Sequence, residues 1–196
     1  MNGHRAHGFS SVHFLDSDEI LNELGLNGNE IFMDAGCGDG HIAIKAVEEY
    51  LPDGTVYAVD VYDASIEDME TYKQENNIEN LINIEADITC GIPGVEDESI
   101  DVVLMVNVFH GFKASRKMDE AIDEFSRIIK PDGKIAIMDY KAWEVPKGPP
   151  TAFRSSPSEL EEVFNNHGLK MTHLNEEIGE DIPQGKSHYF IVFQKD

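Results

Sequence analysis

The stretch Ile31-Phe32-Met33-Asp34-Ala35-Gly36-Cys37-Gly38-Asp39-Gly40 decides the fold of this chain, because it joins a short apolar run to an acidic residue and three glycines. Apolar residues then recur at helical spacing as far as about Leu51. Glycine tolerates positive φ and lets a ligand approach the backbone closely. The first turn of a helix offers free N–H groups to an anion. The stretch therefore predicts a strand, a ligand-binding turn and a helix, in that order.

Strand-like and helix-like segments alternate in the chain after this stretch. The further predicted strands are 55–59, 81–86, 100–106, 134–138, 169–174 and 187–193. The segment 118–129 has the clearest amphipathic helical pattern, and Lys130-Pro131-Asp132-Gly133 is predicted to be the turn that ends it. Strands joined by helices require right-handed crossovers and a parallel sheet, so the predicted fold class is α/β.

Four predicted strands end in a polar side chain. These residues are Asp34, Asp60, Asp87 and Asn107. In a parallel sheet, ligands bind outside the carboxyl ends of the strands, at the point where the strand order switches. The pattern therefore predicts that one rim of the sheet binds a polar ligand.

The glycine pattern distinguishes between kinds of ligand. Dinucleotide sites use G-x-G-x-x-G with an acidic residue about 20 positions further on, and Asp60 lies near that distance. Here the glycines follow G-x-G-x-G, and His41 occupies the position of the third dinucleotide glycine. Asp34 disfavours a pyrophosphate and suits a positive group, such as the ammonium of an amino acid. A tight turn that binds no ligand is the structural alternative.

Five motifs together carry a resemblance to a known family. They are residues 31–40, Val56-Tyr57-Ala58-Val59-Asp60, Ala86-Asp87, Asn107-Val108-Phe109-His110 and Lys130-Pro131-Asp132-Gly133-Lys134. In these motifs the chain resembles the class I S-adenosylmethionine-dependent methyltransferases. The resemblance implies a Rossmann-like three-layer α/β sandwich with a seven-stranded, mostly parallel sheet and one antiparallel strand. It also implies S-adenosyl-L-methionine as the cofactor.

Within this class, the chain is most similar to the ubiquinone/menaquinone and arsenite methyltransferase-like group. Arsenite methylation needs several acceptor cysteines, and this chain has only Cys37 and Cys90. Since Cys37 lies in the glycine turn, the cysteine count argues against arsenite as the acceptor.

The resemblance also assigns cofactor-binding roles to matching positions. Asp34 and the glycine turn would hold the methionine part, Asp60 the ribose hydroxyls, and Asp87 the adenine amino group. The full set of implied cofactor-binding residues is Asp34, Gly36, Cys37, Gly38, Gly40, Asp60, Val61, Ala86, Asp87, Ile88, Asn107 and Val108.

Two residues are predicted to be catalytic. His110 follows the fourth strand, and the ordinary pKa of histidine, about 6.5, suits a general base. Tyr140 is a candidate for stabilising the sulfonium cation with its ring face, as are Phe109 and Phe112. A hydrogen-bonded structural histidine and buried core aromatics are the alternatives.

The N-terminal segment is interpreted separately from the rest of the chain. Residues 1–28 are predicted to form an arm and helix that cover the cofactor site, and residues 29–196 the methyltransferase domain. The arm contains His4, His7 and His13, whose spacing matches no zinc pattern, so no metal site is predicted.

Charge and cysteine content exclude several classes of partner. The 38 acidic and 15 basic residues give a net charge of −23, which disfavours nucleic acid as a partner. No apolar run is long enough for membrane insertion. We therefore expect a cytoplasmic protein with a small-molecule methyl acceptor, and a homodimer is left open.

Three other functions fit parts of the pattern. A non-catalytic S-adenosylmethionine-binding sensor or interaction module would keep the cofactor residues without an acceptor site. A nicotinamide oxidoreductase is disfavoured by the missing third glycine. An aminopropyl transferase uses a decarboxylated cofactor, which Asp34 argues against.

Overall fold

The structure is a computed structural model that describes residues 15–144 and 147–195. The strands are β1 (Ile31–Ala35), β2 (Thr55–Asp60), β3 (Leu81–Glu85), β4 (Ile100–Val106), β5 (Ile129–Tyr140), β6 (Leu169–Ile182) and β7 (Gly185–Lys195). The α-helices are α1 (Ser17–Leu24), α2 (His41–Lys45), α3 (Asp63–Asn76), α4 (Phe109–Ser115), α5 (Met118–Ile128) and α6 (Pro157–Asn166). A π-helical turn, Ala46–Tyr50, extends α2.

The strands form one seven-stranded sheet in the order β3-β2-β1-β4-β5-β7-β6. Neighbouring strands from β1 to β5 pair in parallel, whereas β7 is antiparallel to both β5 and β6. The predicted Rossmann-like sheet with one reversed strand is therefore confirmed. The strand order switches between β1 and β4, and parallel α/β sheets bind ligands outside such a point.

Helices cover both faces of the sheet and bury alternate strand residues. On one face, α1, α2 and α3 pack against side chains such as Phe32 and Leu104. On the other face, α5 and α6 pack against Met33 and Val103. Because both faces are covered, β4 is apolar along most of its length, as expected for a central parallel strand.

Three features of the chain differ from the sequence prediction. The seven-residue α4 was not predicted, since it is too short to show helical periodicity. Residues 130–133 lie within β5, and the register with β4 shifts between Ile100 and Val102 to accommodate them. The hairpin of β6 and β7 is also longer than predicted.

The described part of the N-terminal segment packs onto the domain. Leu21 and Leu24 of α1 are buried, and the Tyr50 hydroxyl donates a hydrogen bond to Asp18 at 2.8 Å. The predicted arm with His4, His7 and His13 lies outside the described residues. Among the helices that the structure describes, none is both long and apolar enough to cross a membrane.

Candidate functional site

A cavity of about 620 Å³ opens at the carboxyl ends of β1 to β4. This volume lies within the usual range for small-molecule sites. The cavity is lined by eleven of the twelve residues to which the resemblance gave a cofactor-binding role: Asp34, Gly36, Cys37, Gly38, Asp60, Val61, Ala86, Asp87, Ile88, Asn107 and Val108. The exception is Gly40. The structure therefore brings the candidate cofactor residues to one surface.

The three glycines of the turn have positive φ angles, from 55° to 82°, but face different surroundings. A Cβ atom at Gly36 would lie 2.5 Å from Val108 Cγ2, and one at Gly40 would collide with Met69. The packing of the stiff Val108 side chain therefore requires glycine at position 36. At Gly40 the flexible end of Met69 can shift, and the φ of 77° is the stronger reason for glycine. A Cβ at Gly38 would meet nothing within 4 Å. Gly38 is therefore the glycine where the open cavity reaches the backbone.

Asp34 is a buried carboxylate at the end of β1, with 2 % of its surface exposed. Its Oδ2 accepts a hydrogen bond from the Ala43 N–H at 3.1 Å. Burial, followed by the nearby charges of Asp60 and Asp39, raises its pKa from 3.8 to about 7. Among the described residues, no cationic side chain forms an ion pair with it. A cationic group entering the cavity would therefore be attracted to Asp34.

Asp60 ends β2 and connects two loops at the cavity. Its Oδ2 accepts the Gly38 N–H at 2.8 Å, and its Oδ1 accepts the Tyr62 N–H at 3.0 Å. The residue is 7 % exposed and lines the cavity. A carboxylate oxygen can accept more than one hydrogen bond, so Asp60 can still bind ligand hydroxyls.

Asp87 follows β3 and is exposed at the rim. Thr89 donates to its Oδ1 through the hydroxyl at 2.6 Å and the backbone N–H at 3.0 Å, and Lys117 Nζ lies 3.5 Å from Oδ2. The Thr89 hydroxyl and the other contacts lower the pKa of Asp87 despite some desolvation. We call Asp34, Asp60 and Asp87 the carboxylate side of the cavity.

Two apolar side chains stand exposed at the cavity wall beside Asp60. Val61 is 56 % exposed and Tyr62 is 48 % exposed, and both line the cavity. Exposed apolar side chains at a concave surface are suited to cover a flat apolar ligand group. Val61 is among the residues to which the resemblance gave a cofactor-binding role, and Tyr62 is not.

Asn107 directly follows β4 and has the left-handed conformation, with φ of 59°. Its Oδ1 lies 3.1 Å from His188 Nε2, and His188 Nδ1 lies 2.7 Å from the Ser187 hydroxyl. Since an amide oxygen only accepts, Nε2 carries the proton and the Ser187 hydroxyl donates to Nδ1. Burial lowers the pKa of His188 to about 4, so the ring is neutral at physiological pH. Sequence reasoning missed His188, because nothing near it in the chain indicates the contact.

His110 lies in the first turn of α4, next to Val108 and Gly111 of the cavity lining, but does not itself line the cavity. Its Nδ1 lies 3.1 Å from each carboxylate oxygen of Asp139. The backbone N–H groups of His110 and Tyr140 donate to the same carboxylate at 3.0 and 2.8 Å. We call Asn107, His110, Asp139 and His188 the histidine side of the rim.

Tyr140 also lies outside the cavity lining and is 5 % exposed. Its ring packs 4.1 Å from the His188 ring, and the Arg154 guanidinium lies over it at 5.2 Å. Arg154 donates to the carbonyl groups of Pro149, Trp143 and Lys147, and so holds the loop after β5. In this structure, Tyr140 and Arg154 are packed into the protein.

Several cavity residues were not assigned a cofactor-binding role from the sequence. They are Asp39, His41, Ile42, Tyr62, Ser65, Asp68, Thr89, Val106, Gly111, Phe112, Ser115 and Lys117. Ser65 and Asp68 are three residues apart in α3, a spacing that places them on one helix face. Phe112 was a candidate for the sulfonium contact. Within the described residues, no cluster of three potential metal ligands is present.

The comparisons with known proteins identify the family. The family model described as a methyltransferase domain matches residues 26–190. The chain therefore belongs to the methyltransferase domain family. The family predicted from the sequence motifs is confirmed by this match.

Individual relatives are more distant. An uncharacterized methyltransferase-like protein of Schizosaccharomyces pombe is 30 % identical over 122 residues, covering 62 % of this chain and 43 % of the relative. A demethylmenaquinone methyltransferase of Lactobacillus johnsonii is 22 % identical over 121 residues, covering 62 % and 48 %. The chain thus spans less than half the length of these curated relatives.

A solved structure of a SAM-dependent methyltransferase from Aquifex aeolicus has the same fold. It superposes with a TM-score of 0.78 at 24 % identity and covers 95 % of this chain and 93 % of that chain. At this identity, the similarity concerns the fold.

Proposed function

We propose that this chain is an S-adenosylmethionine-dependent methyltransferase that acts on a small-molecule acceptor. The observation that carries the proposal is the buried Asp34 carboxylate, which faces a cavity without a cationic partner among the described residues. A ligand with an ammonium group would supply the missing charge. The open backbone at Gly38 gives such a ligand access to the glycine turn.

The other lining residues fit the remaining parts of the cofactor. Asp60 would accept hydrogen bonds from the ribose hydroxyls, and Val61 and Tyr62 would cover the adenine. Asp87 would accept from the adenine amino group. Asn107 and Val108 would border the methyl-donor end. Each group is matched by a side chain of suitable polarity, so the cavity fits S-adenosylmethionine.

The lining charges support a cationic ligand and disfavour an anionic acceptor. Asp34, Asp39, Asp60 and Asp68 line the same cavity as Asp87, and Lys117 is the one lysine or arginine in the described lining. Opposite charges attract across a low-dielectric cavity far more than in water. This acidity supports a small neutral or cationic acceptor rather than nucleic acid.

When bound, S-adenosylmethionine would supply an electrophilic methyl group on its sulfonium. The protein then has to align the acceptor and exclude water. Phe112, in α4, contributes an aromatic wall to the cavity. Its ring packs edge-on against Phe109, with the two ring centroids 5.9 Å apart. An apolar wall near a reacting centre helps to exclude water.

Calorimetric titration with S-adenosylmethionine tests the proposal. We expect binding, and we expect Asp60→Asn to weaken it by tenfold or more, because charge-assisted hydrogen bonds to the ligand are lost. Asp53→Asn is the matched control, since it removes the same charge from an exposed turn just before β2. Equal affinities of wild type and Asp60→Asn would contradict the assigned pose. Absence of binding at millimolar ligand would overturn the proposal.

Transfer of the methyl group separates an enzyme from a sensor. An acceptor-dependent release of S-adenosylhomocysteine would support the enzyme. Tight binding with no transfer to any compound of a broad acceptor panel would favour the non-catalytic S-adenosylmethionine-binding module instead.

A further inference from the structure

The strongest unused feature of the molecule is the contact between His110 and Asp139. Asp139 is the penultimate residue of β5 and is 3 % exposed. All the hydrogen bonds described for its carboxylate come from the first turn of α4 and from its own strand end. The carboxylate therefore fixes where α4 begins and how the His110 ring is turned.

The contact also sets the tautomer of His110. Asp139 accepts hydrogen bonds from the backbone N–H groups of His110 and Tyr140 as well as the ring contact from His110. An ionised carboxylate only accepts, so Nδ1 of a neutral His110 carries the proton and Nε2 is left with a free lone pair. Within the described residues, no hydrogen bond to Nε2 is present, and about a quarter of the side chain (24 %) is exposed.

His188 shows that the arrangement at His110 is distinct. Both histidines lie on the same rim, but His188 is fully buried and uses Nε2 to donate to Asn107. Its two ring nitrogens are thus both occupied. His110 has one occupied nitrogen and one available nitrogen, which is the arrangement that a proton acceptor needs.

We propose that Asp139 is a positioning residue that holds His110 as a proton acceptor for the methyl acceptor substrate. The inference rests on the proposed function and adds the class of acceptor to it. The acceptor would carry an acidic X–H group, such as a phenolic hydroxyl or a thiol. The X–H bond breaks, its electron pair stays on X as the nucleophile, the proton forms an N–H bond at Nε2, and water later removes that proton.

The position of His110 supports this role. Val108 and Gly111, on either side of it in the chain, line the cavity, as does Phe112. His110 therefore belongs to a chain segment that borders the cavity, and its ring contacts Asp139 near the end of β5. The proposal requires that the acceptor reach the methyl-donor end past His110 Nε2.

Nitrogen NMR of histidine-labelled protein tests the tautomer without any acceptor. At pH 8 we expect His110 to carry its proton on Nδ1, with the signal assigned by its loss in His110→Gln. In Asp139→Asn we expect the population to shift toward the Nε2–H tautomer, because the carboxylate acceptor is gone. Asp132→Asn is the matched control, since it removes an exposed charge near the other end of β5. An Nε2–H tautomer in wild type would overturn the proposal even if Asp139→Asn fails to fold.

Reactivity gives a second readout. Diethyl pyrocarbonate acylates unprotonated imidazole nitrogens, so the wild-type peptide containing His110 should be modified at pH 7.5 while that containing His188 is protected by burial. Slower modification of His110 than of His188 would contradict the free Nε2.

Methyl transfer to phenol or benzenethiol tests the acceptor class. We expect such transfer to fall at least tenfold in His110→Gln and in Asp139→Asn, with the affinity for S-adenosylhomocysteine within threefold of wild type. Transfer that is unchanged in His110→Gln would overturn the proposal. Loss of S-adenosylhomocysteine binding in wild type would instead overturn the proposed function, so the two failures are distinguishable.

Discussion

The carboxylate side of the cavity and the histidine side of the rim hold their polar groups by different means. On the carboxylate side, backbone N–H groups hold each side chain: Ala43 of α2 donates to Asp34, and Gly38 and Tyr62 donate to Asp60. At Asp87 the Thr89 side chain and Lys117 add to the backbone contact. On the histidine side, backbone N–H groups also bind Asp139, but side chains contact one another as well, and His188 contacts Asn107 across 81 positions of sequence. The first arrangement leaves negative charge exposed to a ligand, whereas the second fixes tautomers and orientations.

The largest effect should come from Asp34, where the carboxylate side lacks a counter-charge. We expect Asp34→Asn to stabilise the ligand-free protein by about 2 kcal/mol at pH 8 and to weaken S-adenosylhomocysteine binding by tenfold or more. The reason is that the raised pKa disfavours the native state relative to the unfolded chain, and this cost builds up between about pH 4 and about pH 7 and is complete at pH 8. Urea unfolding and calorimetry measure the two quantities.

The sign of this effect depends on pH. The folded pKa of Asp34 exceeds its unfolded value of 3.8, so the native state holds the extra proton and stability falls as pH rises from about 4 to about 7. At pH 4 the stability gain of Asp34→Asn should therefore vanish. If Asp34→Asn is less stable than wild type at pH 8, other groups of the protein must compensate the negative charge of Asp34.

A double-mutant cycle between His188 and Asn107 tests the histidine side. We expect His188→Ala and Asn107→Ala to be coupled by about 1 kcal/mol in the free energy of unfolding, because the two side chains share one partly buried hydrogen bond. His188→Ala combined with the remote His167→Ala serves as the control and should be additive. If the effects of His188→Ala and Asn107→Ala on the free energy of unfolding simply add, the contact with His188 does not hold Asn107 in place.

The carboxylate side could be predicted from the sequence because the position of each aspartate depends only on the strand that precedes it. A strand that ends in Asp places the carboxylate at the rim by topology alone, and this applies to Asp34, Asp60 and Asp87. The glycine turn was predicted only in part. Val108 and Met69 pack against Gly36 and Gly40, and no local pattern shows that these distant side chains meet the turn.

The histidine side could not be predicted in the same way. Asp139 and His188 belong to neighbouring strands whose antiparallel pairing places Tyr140 opposite His188. The chain alone does not give this register. The position of His110 after β4 made it a predicted catalytic residue, but its partner Asp139 was not predicted. Tyr140 was also predicted to be catalytic, but its buried ring does not line the cavity.

The smallest effect is expected at the exposed edge of the carboxylate side. Lys117→Gln should change S-adenosylhomocysteine affinity by less than about threefold, because an exposed ion pair with Asp87 contributes little and is screened by salt. Calorimetry at low and high ionic strength measures it. A tenfold loss would place Lys117 in direct contact with the ligand.

The most direct test of an uncompensated carboxylate in the cavity is proton exchange during ligand binding. Titrating S-adenosylhomocysteine into wild-type protein between pH 5.5 and 7.5, in two buffers of different ionisation enthalpy, should show up to about one proton released per ligand bound at the lower pH values. The affinity should fall as the pH drops below about 7. In Asp34→Asn this pH dependence of the affinity should be absent. Binding that releases no proton and keeps the same affinity across this range would contradict the account.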